Sequence, residues 1–130
     1  MNTRHQLIDA DTGAVIVPKL MVADTFWHRF RGLQCRARLA DDEGLLLVPC
    51  RSVHTHWMRF SIDVAMLDPQ GFVLAVFTNV RPWRIVRRVQ GTRAIVESVS
   101  GMLAPKVRVG ARLKVAPHDY FVSSAPPSRR

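Results

Sequence analysis

The strongest constraint on the fold is a turn sequence between two apolar segments in the middle of the chain. Asp68, Pro69 and Gly71 occupy the first, second and fourth positions of a tetrapeptide, where a type I β-turn favours these residue types. The flanking residues 62–67 and 72–77 are rich in branched and aromatic side chains that favour strands. The pattern therefore predicts an antiparallel β-hairpin.

Other short apolar segments predict further strands. Residues 45–48 form an unbroken apolar run that Pro49 ends, which is typical of a strand buried on both faces. Turn-forming residues separate most of the remaining apolar segments. These additional predicted strands are residues 6–8, 14–17, 94–99 and 113–116.

One segment has helical rather than strand periodicity. An N-cap residue, Asp24 or Thr25, precedes apolar side chains at helical spacing, namely Phe26, Phe30 and Leu33. We therefore expect one main helix near residues 24–33. The predicted fold class is α+β and mostly β, with a curved antiparallel or mixed sheet, or a partly open barrel, of about seven or eight short strands.

The length of the chain, 130 residues, suits one domain with a sizeable core. We assign the domain to residues 1–116 and expect a flexible tail over residues 117–130, which offers little to bury. Neither a signal-peptide pattern nor an apolar run of membrane-spanning length is visible, so the sequence predicts a cytoplasmic protein. Cys35 and Cys50 are accordingly expected to be reduced thiols.

The charge balance is strongly basic. There are 19 Lys and Arg residues against 10 Asp and Glu residues, and 16 of the basic residues are arginine. Guanidinium groups bind phosphate and carboxylate in bidentate fashion, so this composition favours an anionic partner, nucleic acid included. A GC-rich coding sequence would place arginine on any surface, and that explanation stays open beside the first.

Several short motifs together resemble the DUF192 family over residues 12–115. The resemblance implies a shared fold and a set of positions worth testing, and it implies no reaction because the family has no established activity. The motifs that carry it are Arg31-Gly32-Leu33, Glu43-Gly44-Leu45, Trp57-Met58, Ile62-Asp63, the turn at residues 68–71, Pro82-Trp83-Arg84, Glu97-Ser98 with Gly101, and Gly110.

Two histidines in the segment of residues 50–60 are the first candidates for chemistry. In an extended strand alternate residues face the same side, so His54 and His56 project together, and Cys50 shares their side. These three residues could ligate zinc, although a hydrogen-bonded histidine pair explains the same spacing. Because the chain has no second Cys or His cluster, we predict neither a metal nor a cofactor.

Asp63 is the second candidate because it interrupts an apolar strand. A buried carboxylate must be paired or hydrogen-bonded, since an unpaired one costs several kcal/mol. Arg31, Arg59, His54 or the backbone amides of the preceding loop could provide that partner. The residue then has either a structural role or a functional one, as a general base or a ligand contact.

Two tryptophans and an arginine complete the candidate site. Trp57 and Trp83 could form the walls of a cleft, with Arg84 as its cation. For Pro82-Trp83-Arg84 there is an alternative explanation, in which arginine side chains simply cover Trp83. No nucleophile elbow, phosphate-binding loop or dinucleotide fingerprint occurs in the chain, and Cys50 lacks a setting that would activate it.

The sequence therefore predicts a non-catalytic binding or accessory module with a polar and aromatic cleft for an anionic small ligand or a partner protein. The predicted ligand-binding residues are His54, His56, Trp57, Asp63, Trp83 and Arg84. The alternative is a metal-dependent or acid/base enzyme centred on His54, His56 and Asp63. A second alternative is nucleic-acid binding through the basic surface.

Overall fold

A computed structural model describes residues 2–23, 39–49, 53–54, 59–86 and 89–117. Within these ranges the chain forms nine strands and no helix. The strands are β1 (Asn2–Asp9), β2 (Val15–Ala23), β3 (Glu43–Leu47), β4 (Val53–His54), β5 (Ile62–Leu67), β6 (Val73–Val80), β7 (Ile85–Val86), β8 (Ala94–Val99) and β9 (Leu113–Pro117).

The predicted α+β class is wrong, because the part of the chain that the structure describes is all-β. The prediction depended on one helix at residues 24–33, and that segment lies outside the described residues. In the described ranges, the alternating and continuous apolar segments form strands. Across the described ranges no helix has the length and apolar character that a membrane span would need.

Seven strands form a mixed sheet in the order β6-β5-β8-β3-β2-β1-β9, and β4 pairs with β7 in a separate two-stranded ribbon. The β2–β3 pair is parallel, with Lys19 opposite Glu43, and every other pair in the sheet is antiparallel. The predicted hairpin is confirmed as β5 and β6. In its turn, the Gly71 amide donates a hydrogen bond of 3.0 Å to the Asp68 carbonyl.

Both faces of the central strands are covered, as was predicted for residues 45–48. Leu46 contributes to one apolar cluster, whereas Leu45 and Leu47 contribute to the other. The first, called here the Leu7 cluster, comprises Leu7, Ile16, Val17, Leu20, Leu46, Ala65, Leu67, Val73, Ala94, Val96, Leu103, Val107 and Leu113. The second, called here the Leu45 cluster, comprises Met21, Ala23, Leu39, Leu45, Leu47, Ile62, Val64, Met66, Val86 and Ile95.

The sheet curves around the Leu7 cluster, to which all seven of its strands contribute. The two edge strands approach each other where β6 and β9 begin, because the Val73 amide donates to the Ala111 carbonyl at 2.8 Å. A single bridge between Phe72 and Arg112 lies beside this bond. No ladder joins β6 to β9 in the order of strands, so the curved sheet is not closed.

Candidate functional site

The β4–β7 ribbon brings together two parts of the predicted cleft that are far apart in sequence. Val53 pairs with Val86, and His54 pairs with Ile85. His54 therefore lies on β4, which is next to β7, and Trp83 and Arg84 come immediately before β7. Val86 is buried in the Leu45 cluster and anchors the ribbon on that face of the sheet.

The segment that enters β7 is exposed and has an unusual backbone conformation. Trp83 has a φ of 67°, a left-handed value that a bulky side chain rarely adopts, and its side chain is 54% exposed. Ile85 is 64% exposed, and Arg84 is also exposed. A cation and two large apolar groups therefore meet solvent next to the strand that carries His54.

Asp63 is completely buried and is bound by four backbone amides. Its Oδ1 accepts a hydrogen bond from the Asn79 amide at 3.0 Å. Its Oδ2 accepts three more, from Gly101 at 3.0 Å and from Leu103 and Ala104 at 3.1 Å each. The carboxylate thus ties β5 to β6 and to the segment that follows β8.

This arrangement supports the structural interpretation of Asp63, with different partners from those expected. The amides come from later in the chain than the loop before β5. Of the predicted arginine partners, Arg59 is the one that lies among the described residues. It forms no hydrogen bond or ion pair with Asp63 in the described part of the chain. Four directed amide donors satisfy a buried carboxylate without a cation.

Asp63 is also separated from the ribbon by the sheet itself. In β5, Asp63 alternates with Val64, and its partner Leu103 belongs to the Leu7 cluster. Val64 belongs to the Leu45 cluster, on the face where Val86 anchors the ribbon. The structure therefore places Asp63 on the opposite face of the sheet from the ribbon, whose β4 strand contains His54 and whose β7 strand follows Arg84.

Glu97 is a second buried acid, and it is not among the site residues predicted from the sequence. It is 4% exposed, and in register it lies between Leu45 on β3 and Val64 on β5. It therefore faces the Leu45 cluster, as the ribbon does. Burial among these apolar neighbours raises the pKa of Glu97 to about 8, so the carboxyl group carries a proton at neutral pH.

The signal that could have identified Glu97 is the one that singled out Asp63. Both acids interrupt strands whose other members are mostly apolar, and both strands are almost fully buried. The two acids differ in their surroundings. Asp63 has four amide donors, whereas Glu97 has only apolar residues opposite it on the neighbouring strands.

Residues 7–115 match the DUF192 family, described as "Uncharacterized ACR". The chain belongs to this family. A UPF0127 protein of Thermococcus sibiricus is 31% identical over 102 residues, which are 75% of this chain and 65% of that protein. The match thus spans about 65% of the length of this curated relative.

Two solved structures have the same fold as this DUF192 domain. A protein of unknown function from Novosphingobium aromaticivorans superposes with a TM-score of 0.74 at 19% identity, covering 84% of this chain and 83% of that one. A putative transcription regulator from Sinorhizobium meliloti has a TM-score of 0.72 at 20% identity, with coverages of 85% and 91%. At such identities the likeness shows the fold alone.

The remaining predicted site residues of this DUF192 domain lie outside the described part. They are Cys50, His56 and Trp57, together with the side chain of His54. Among the residues that are described, no group of three His, Cys, Asp or Glu side chains could hold a metal ion. The zinc alternative built on Cys50, His54 and His56 therefore stays a prediction.

Proposed function

We propose that this DUF192 domain is a non-catalytic binding module that uses the β4–β7 ribbon to bind an anionic group on a small ligand or a partner protein. The observation that carries the proposal is the pairing of His54 with Ile85. This pairing places His54 on the strand next to β7, which the exposed Trp83 and Arg84 immediately precede. The proposed contacts are His54, His56, Trp57, Trp83 and Arg84.

The chemistry of the exposed segment suits an anion with an apolar portion. Arg84 offers a permanent charge and a planar donor fork, which binds carboxylate or phosphate in bidentate fashion. Trp83 and Ile85 offer exposed apolar area beside that charge. Backbone strain at a bulky residue such as Trp83 is concentrated at binding and catalytic sites, which further supports this segment.

The position of Asp63 favours binding over acid/base catalysis. A general base must reach its substrate and accept a proton, but the carboxylate of Asp63 is buried and already accepts four amide hydrogen bonds. The ribbon packs on the other face of the sheet. Asp63 is therefore not among the proposed ligand contacts.

The test is a titration of the folded protein with two anionic probes, inorganic phosphate and a polyglutamate peptide, followed by NMR chemical shifts. We expect Arg84→Gln to weaken the binding of at least one probe about tenfold, the effect of losing roughly 1.4 kcal/mol at a charged contact. The matched control is Arg108→Gln, which removes another exposed arginine and should leave the affinity unchanged.

Two results would count against the proposal. Equal losses in the two variants would show that the probes respond to net charge and not to the ribbon. Stoichiometric zinc in protein purified without a histidine tag would favour the metal-dependent enzyme.

Binding that strengthens as pH falls from about 8 to about 6 would support a contribution from the histidines.

A further inference from the structure

The curved sheet contains a cavity of about 400 Å³ at one end of the Leu7 cluster. This volume lies in the range of roughly 300–1,000 Å³ that is typical of small-molecule sites. Its apolar lining includes four leucines that belong to the Leu7 cluster: Leu7, Leu46, Leu67 and Leu113.

The opposite end of the same cluster is covered by the segment that follows β8. Leu103 and Val107 from this segment are buried in the Leu7 cluster, and Asp63 at the start of β5 holds the segment in place. The cavity instead adjoins Leu67 at the end of β5 and Ala94 at the start of β8. The concave side of the sheet is therefore covered at one end and bordered by the cavity at the other, where the four leucines are at most 7% exposed and Val115 is 39% exposed.

Two exposed cations, Arg93 and Lys114, lie at the border of this cavity. Within the described ranges neither side chain has an ion pair or a hydrogen bond. The acidic side chain in the lining is Asp68, whose Oδ1 already accepts hydrogen bonds of 2.9 Å from the amides of Gln70 and Phe72. The lining thus combines apolar side chains with an excess of one positive charge.

We propose that this cavity is a second binding site, distinct from the ribbon, for a small aliphatic carboxylate. The alkyl chain would lie against Val115 and the accessible edge of the four leucines, and burying it would strengthen binding about fourfold for each methylene group. The carboxylate would lie between Arg93 and Lys114, where a guanidinium and an ammonium can donate charge-assisted hydrogen bonds. A monoanion matches the single excess charge.

The experiment compares three probes with the same eight-carbon chain and different head groups: octanoate, octan-1-ol and octyltrimethylammonium. Calorimetric titration of the folded protein is expected to give binding of octanoate, at least about tenfold weaker binding of the alcohol, and no binding of the cation. Arg93→Gln and Lys114→Gln should each weaken octanoate about tenfold while leaving the alcohol unchanged.

A second set of variants tests where the alkyl chain of the ligand lies. Val115 lines the cavity and is 39% exposed, so Val115→Trp should narrow the opening and weaken both octanoate and the alcohol. Val109→Trp is the matched control at a position that is 64% exposed and outside the lining, and Arg108→Gln, which removes an exposed arginine outside the lining, is the control for charge. Both controls should bind octanoate as the wild type does.

The proposal is overturned if the folded wild type binds none of the three probes, or if the cation binds as well as octanoate. It is equally overturned if octanoate affinity falls in Arg84→Gln and stays constant in Arg93→Gln, a result that would assign the probe to the ribbon. A loss in Arg93→Gln alone leaves the ribbon proposal unaffected, so the two proposals fail separately.

Discussion

At the scale of single residues, Asp63 joins parts of the chain that are distant in sequence. One side chain satisfies amides from the end of β6 and from the segment after β8. The surrounding backbone supports this arrangement: Asn79 has a φ of 51°, and its Oδ1 accepts a 3.0 Å hydrogen bond from the Ser100 hydroxyl. Two strand ends and one covering segment therefore depend on a single carboxylate.

Replacing Asp63 with Ala should destabilise the protein by about 2–4 kcal/mol, because one buried and three part-buried backbone donors lose their acceptor. Denaturant unfolding of the purified variant measures this loss. Asp9→Ala is the control, since the Asp9 carboxylate also accepts two amides, from Asp11 and Thr12, but in an exposed turn. An unchanged unfolding midpoint for Asp63→Ala would contradict the structural role.

How much of the site the sequence could predict differs between its residues. The apolar neighbours of Asp63 showed that its carboxylate needed partners. They did not identify those partners, because the partners lie 16 to 41 positions away in the chain and sequence spacing does not encode such contacts. The same reasoning applies to Glu97. An acid in a buried strand is visible in the sequence, whereas the chemistry around it depends on which strands become neighbours.

At the scale of elements, local signals predicted strands and turns well, and pairing between distant strands poorly. The β5–β6 hairpin was predictable because its turn residues and both strands are contiguous. The β4–β7 ribbon was not, because two-residue strands carry little periodicity and their partners are remote. The covering segment after β8 was likewise invisible, since only its contacts with Asp63 and the Leu7 cluster define it.

The docking of the β5–β6 turn against β9 gives the second prediction. Gly71 has a φ of 94°, and a Cβ atom at this position would overlap the Leu113 carbonyl oxygen. Gly71→Ala therefore adds steric overlap to backbone strain and should destabilise the protein by about 2–5 kcal/mol. Thermal and denaturant unfolding are the measurements.

Gly110 supplies a matched control for this substitution. Its φ of 96° resembles that of Gly71, but nothing lies within 4 Å of an added Cβ. Gly110→Ala should therefore show the cost of the left-handed backbone alone, about 1–2 kcal/mol. Equal losses in the two variants would show that the turn does not press against β9.

At the scale of the whole molecule, the two faces of the sheet have different chemistry. The Leu7 side contains a carboxylate that is hydrogen-bonded to amides, and the Leu45 side contains a carboxyl group that burial keeps protonated. The formal net charge of +9 counts that acid as ionised. Folding therefore takes up a proton at neutral pH, and the stability of the entire domain becomes linked to pH.

The sign of this linkage follows from the pKa of Glu97, which burial raises from 4.5 to about 8. The free energy of unfolding that the protonated Glu97 contributes is fully present below the ordinary pKa and is lost as pH rises through the raised pKa. The loss is about 1.4 kcal/mol per pH unit and about 5 kcal/mol at most.

Gln has nearly the shape of a protonated Glu and never ionises. Glu97→Gln should therefore match the wild type near pH 5 and exceed it by several kcal/mol near pH 9, as measured by urea unfolding across that range. Glu43→Gln, which retains Glu97, should keep the wild-type dependence. Parallel stability profiles for Glu97→Gln and the wild type would mean that the carboxyl group reaches solvent or a partner when it ionises.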